Sequence, residues 1–148
     1  MTQLTTRMLL PVVHEEDTKR TCKALFEHRP GEPDSSKIIV VHAIEKAGGA
    51  PDKAPLPARE EQAERVFALA EQILGGRGYE VETRLIYATD VVDALFDVAR
   101  EVEATSIVFL PREGGRLSRL LTGNLSTRLV LDSPIPVITL PQVSDDEE

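Results

Sequence analysis

Short apolar runs and amphipathic stretches alternate along this chain. Met8–Val13 is a continuous apolar run, the pattern of a strand covered on both faces. In Glu15–His28, Thr18, Cys22, Leu25 and Phe26 recur at helical spacing, and three acids open the segment where a helix dipole is positive. Arg29-Pro30-Gly31-Glu32-Pro33-Asp34 ends that helix. Lys37–Ile44 (KIIVVHAI) reads as a second buried strand. The Gly-, Pro- and Ala-rich stretch from Ala47 to Pro57 has too few bulky apolar groups for core and is expected to be a surface loop. Val66, Leu69, Ala70, Ile73 and Leu74 then mark an amphipathic helix over Ala58–Leu74, stopped by Gly75-Gly76-Arg77-Gly78.

Tyr79–Tyr87 alternates apolar and polar positions at first, which predicts a partly exposed strand at a sheet edge. Asp90–Glu103 carries Val91, Leu95, Val98 and Val102 on one helical face, with Asp90 as N-cap. Ser106–Leu110 is a fourth strand, and Gly123-Asn124 opens a short helix through Leu131. Ile135–Leu140 is the last strand; it contains Pro136, lies between Pro134 and Pro141, and lacks ladder donors, so it belongs at an edge. Such alternation requires right-handed crossovers and a parallel sheet. The expectation is an α/β domain with a doubly wound five-stranded parallel sheet, order 3-2-1-4-5, and helices on both faces. Residues 8–141 form the domain, after a flexible N-terminus (1–7) and before an acidic, disordered tail (142–148).

Composition narrows the class. At 148 residues, 41% hydrophobic and 28% charged, the chain reads as one soluble globular domain. No apolar run approaches the roughly 20 residues that span a bilayer, and the first run is too short for a secretory signal. A single cysteine, Cys22, excludes an internal disulfide, reads as a small core hydrophobe and fits a reducing, cytoplasmic setting. The net charge of −8 and the terminal run Ser144–Glu148 argue against sequence-independent nucleic-acid binding.

In an open parallel sheet, ligands sit beyond the carboxyl ends of the strands where strand order reverses, here between strands 1 and 4. Two loops border that point, Val13–Asp17 and Pro111–Asn124. From Pro111 to Arg128 there are four arginines (Arg112, Arg116, Arg119, Arg128) and one acid, Glu113, a local charge of +3. Gly114-Gly115 and Gly123-Asn124 add backbone amides with a helix N-terminus behind them, which together suit an anion. The alternative is that the arginines pair with surface acids and the glycines only turn the chain. Glu15, Glu16 and Asp17 would repel a triphosphate unless a divalent cation intervened, and helix capping is their simpler account. His14, His28 and His42 lack metal-ligand spacing, and no P-loop or G-x-S-x-G elbow is present, so no metal site and no catalytic residue is assigned. His42 reads as a satisfied core histidine, and Asp90 and Asp93 as capping and solvated acids.

The segment SIVFL-PREGGRLSRLLTGNLSTRLV resembles the phosphate loop of the universal stress protein family, with Arg112, Leu117, Ser118, Arg119, Leu120, Leu121 and Gly123 in register. MLLPVV, KIIVVHAIE and SPIPVITLP are similar to the family's first, second and last strands, so the likeness spans about residues 8–141. The resemblance implies ATP phosphates wrapped by Gly-x2-Gly, nine residues and Gly-Ser or Gly-Thr, and a dimer formed through the last strand. Leu110 and Glu113 replace the first two of those glycines, Asn124 replaces the Ser/Thr, and Val13 replaces the aspartate that contacts nucleotide. Gly123 and, near the adenine side, Val41 match. Candidate nucleotide- or anion-binding residues are therefore Val41, Arg112, Gly114, Gly115, Gly123 and Asn124. Ile135, Val137, Ile138 and Leu140 are candidates for the dimer interface.

The reading favoured is a dimeric binding and regulatory module that does not hold ATP in the usual way and acts through protein partners or another anion. The alternatives are an ATP- or AMP-binding protein using the altered glycine/arginine loop, and an enzyme on a similar scaffold. ATP or AMP is thus a disfavoured ligand, and neither nucleic acid nor membrane is an expected partner.

Overall fold

The structure, a computed structural model, describes residues 4–28, 32, 36–45, 55–111 and 123–141. The elements follow in order: β1 (Arg7–Pro11), α1 (Glu15–His28), β2 (Lys37–Glu45), α2 (Leu56–Gly76), β3 (Glu80–Ala88), α3 (Val91–Glu101), β4 (Ser106–Phe109), α4 (Gly123–Asp132) and β5 (Val137–Thr139). The strands form one sheet, order β3-β2-β1-β4-β5, and every pairing is parallel. The expected fold class, strand order and edge positions of β3 and β5 are those observed.

Successive residues of β1 and β2 point to opposite faces, so each strand feeds two cores. Met8, Leu10, Ile38 and Val40 pack with Cys22 and Leu25 of α1 and Val66, Ala70 and Leu74 of α2. Leu9, Ile39, Val41, Ile107 and Phe109 pack on the other face with Val91, Val92 and Leu95 of α3 and Leu129 of α4. A strand covered on both sides has no polar face to show, which is why β1, β2 and β4 read as mainly apolar runs. At the exposed β3 edge, Glu82 stands between Lys37 (3.0 Å) and Arg84 (3.1 Å), and Arg84 reaches on to Glu101 (3.1 Å). Charges along an edge discourage pairing with a foreign strand.

Element ends depart from the sequence reading where proline and glycine behave less restrictively than expected. α2 starts at Leu56, since Pro57 in its first turn gives up an amide that no helix could satisfy. It then runs through Gly75 and Gly76, and the stop is Gly78, at φ 94°, a conformation natural to glycine alone. β5 is short, but its ladder is extended on both sides: Ile107 N–H donates to the Pro136 carbonyl (3.0 Å) and Leu140 N–H to that of Phe109 (2.9 Å). Pro136 thus contributes the one group that a proline can.

Candidate functional site

β1 ends at Pro11, opposite Val41, while β2 continues to Glu45. The space beyond the carboxyl ends of β1, β2 and β4, between the helices that follow them, is the recess where open parallel sheets hold ligands. Beyond Pro11, Val12 N–H still donates to the Val41 carbonyl (2.9 Å). The next amide, Val13 N–H, donates to Asp17 Oδ2 (2.9 Å). Asp17 is completely buried, whereas Glu15 and Glu16 are exposed. Thr18 closes the same turn, its amide and its hydroxyl both donating to the His14 carbonyl (2.8 Å each). One of the three acids is thus turned inward, its buried carboxylate bonded to the Val13 amide at the β1–α1 junction.

On the α1/α2 face, His42 is buried beside Val12, with Nδ1 3.2 Å from the Val12 carbonyl oxygen. A carbonyl can only accept, so Nδ1 carries the proton. The ring meets Phe67 edge-on at 6.3 Å. Burial is the main cause that makes His42 less basic than an ordinary histidine; the Val12 bond opposes this, and nearby His14 and Arg59 add to it. Arg59 donates to the Glu45 carbonyl and so ties the first turn of α2 to the end of β2.

On the α3/α4 face, the sequence candidate Val41 is sealed in the core, and Ala43, two residues further out on that side, is half-buried. The sequence reading passed over Ala43, although strand alternation from Val41 points to it. β4 runs into Phe109 and Leu110, both completely buried. Arg112, Gly114 and Gly115, with Arg116 and Arg119, lie outside the described residues. Gly123 and Asn124 open α4 as expected.

The fourth arginine, Arg128, is paired. Its Nη1 lies 3.2 and 3.3 Å from the two carboxylate oxygens of Asp90, and its Nη2 3.2 Å from Asp93 Oδ1. Asp90 is also the N-cap of α3, accepting from Asp93 N–H at 3.1 Å. That backbone bond, with Arg128 behind it, holds the Asp90 carboxyl below the usual aspartate range. Arginine pairing with surface acids, left open by the sequence, holds for this residue.

Past α4, an open apolar groove of about 320 Å3 runs along Phe109, Pro111, Thr127, Val130, Leu131 and Thr139. Val130 and Leu131 are 48% and 73% exposed. Ile135, Val137 and Ile138 are half-buried along the adjoining edge, while Leu140 is within the core. Among the described residues no three metal-binding side chains gather, and no helix is long and apolar enough to cross a membrane.

A family model described as the universal stress protein family matches residues 5–141. No curated protein matches the chain. Among solved structures, a universal stress protein from Archaeoglobus fulgidus in complex with dAMP is 21% identical, with TM-score 0.64, over 93% of this chain and 99% of that one. One from Burkholderia pseudomallei is 22% identical, with TM-score 0.68, over 95% and 99%. A universal stress protein in complex with cAMP is 17% identical, with TM-score 0.61, over 94% and 99%.

Proposed function

The chain belongs to the universal stress protein family, and within it we propose that this member is a homodimeric binding and regulatory module that does not hold ATP in the family's usual way. The observation that carries this reading is at the end of β4. Leu110, in register with the first glycine of the phosphate loop, is a wholly buried aliphatic side chain. A glycine there lets backbone approach phosphate, and a leucine anchored in the core does not. The end of β1 supports the same reading, because Val13 stands where the family places an aspartate and the buried Asp17 is bonded inward to the Val13 amide.

The anion-binding role stays with the altered loop, namely Arg112, Gly114, Gly115, Gly123 and Asn124, with Val41 behind it. The module acts in the cytoplasm through protein contacts or through an anion other than ATP. Millimolar-range ATP, roughly a hundredfold over a typical tight site, raises a melting temperature measurably when it binds. ATP is expected to leave this protein's melting temperature unchanged. Two relatives are in complex with dAMP and cAMP, which favours the second reading, a nucleotide held by the altered loop. A clear shift with ATP would establish that reading and reject the first.

Dimerisation is assigned to the β5 edge, at Ile135, Val137, Ile138 and the backbone around Leu140. Among the described residues β5 is the last strand of the sheet, next to an apolar groove that exposes Val130 and Leu131, and this supports it. Val137→Lys or Ile138→Glu is expected to halve the mass measured by light scattering, and an unchanged dimer would reject this interface.

A further inference from the structure

α3 follows the carboxyl end of β3 and α4 that of β4, and both cover the same face of the sheet. The sheet order puts β2 and β1 between them. The Arg128 contact with Asp90 and Asp93 therefore bridges the two helices on the side of the sheet that carries Val41 and Ala43. One guanidinium faces two carboxylates, so this bridge carries a net charge of −1 at neutral pH. Its members are accessible, with side chains 36%, 47% and 67% exposed for Arg128, Asp90 and Asp93.

We propose that Arg128, Asp90 and Asp93 form an ionic strap across the α3–α4 side of the recess, and that a multivalent anion of the phosphate class opens it by taking Arg128 from the two aspartates. The proposal rests on the reading that an anion binds beside α4. A guanidinium fork fits a phosphate bidentately, so the exchange replaces two carboxylates, one on each terminal nitrogen of Arg128, by a single forked partner. Opening leaves α3 intact, because Asp90 caps the helix through a separate bond to Asp93 N–H. While the strap is closed, its two carboxylates both occupy Arg128 and repel an arriving anion. Exposed ion pairs are weak, which makes this contact reversible and sets its effect on anion affinity at about two- to tenfold.

The test is a titration with inorganic pyrophosphate at fixed ionic strength, following the Arg128 Nε–Hε NMR resonance, which is assigned by its loss in Arg128→Gln. The Asp90→Asn/Asp93→Asn double variant removes the competing charges and keeps a good N-cap; Asp93→Asn alone, which leaves the cap untouched, is the second variant should the double one fold poorly. Pyrophosphate is expected to move the Arg128 resonance in the natural chain, with half-saturation about two- to tenfold lower in the double variant and intermediate in the single one. Equal half-saturation in all three proteins overturns the strap. Response at the amides of Gly114, Gly115 or Gly123 with Arg128 unmoved rejects the strap and spares the anion reading. No response anywhere in any of the proteins removes the anion reading, and with it the strap's trigger.

Discussion

Replacing Asp17 by alanine tests whether the β1–α1 junction is an anchored turn. The side chain is completely buried, and Oδ2 accepts from Val13 N–H at 2.9 Å. Hydrogen bonds to a charged acceptor contribute about 1.5–3 kcal/mol, and Asp17→Ala also leaves the Val13 amide to find a new partner in a half-buried turn. The expected loss is about 2–4 kcal/mol. For a domain of this size each kcal/mol lowers the melting temperature by about 2–4 °C, so Asp17→Ala should melt roughly 5–15 °C below the natural chain. Asp17→Asn keeps an acceptor without the charge and should fall between the two. Glu16→Ala, one residue away and exposed, is the control, expected within about 0.5 kcal/mol of the parent. Calorimetry at neutral pH measures all four proteins. An Asp17→Ala protein that melts together with the Glu16→Ala control would refute the clamp, and would return Asp17 to the recess as a group available to a ligand.

Two further expectations follow from buried groups of α1 and β2. Burial, helped by the Asp17 charge, pushes the Cys22 thiol from 9.0 up to about 12, so at pH 8 thiolate is about a thousandfold scarcer than for an ordinary cysteine. Disulfide-exchange reagents should label Cys22 only after denaturation, and prompt stoichiometric labelling of the native protein would contradict its place in the core. His42 is held below the usual histidine value of 6.5, mainly by burial. The unfolded chain then binds a proton that the folded one refuses, so the stability this group contributes is present above pH 6.5 and is lost as pH falls through the lowered folded value. His42→Gln should flatten the fall in melting temperature between about pH 7 and pH 5, and parallel curves for the two proteins would rule out His42 as its source.

The scaffold was legible because burial on both faces leaves a local trace. Lys37–Ile44 and Ser106–Leu110 are short, largely apolar runs of the kind a central parallel strand leaves, and α1 begins and ends where its acids and Arg29-Pro30-Gly31 place it. Ends were less legible wherever one residue admits two behaviours. Pro57 breaks a helix interior but suits a first turn, and Gly75 and Gly76 can stop a helix or be carried inside it. Sequence could not choose between these, because proline and glycine each suit both places; Leu74 lies in the core just ahead of the two glycines.

The recess resisted the same treatment for a different reason. Its decisive contacts are either a choice among neighbours or a meeting of distant residues. Glu15, Glu16 and Asp17 are interchangeable by composition, and only helical phase turns the third of them back under the Val13 amide. Arg128 meets Asp90 across 38 positions of sequence, a pairing that exists only because β3 and β4 lie on either side of β2 and β1 and send their helices to one face. Of the four arginines counted as a patch of positive charge, Arg128 is neutralised by Asp90 and Asp93 at the start of α3. An estimate of ligand preference from loop charge alone overstates the pull on an anion by at least that one cation, and the two aspartates turn the contribution of this corner of the recess from attraction to repulsion until Arg128 is released.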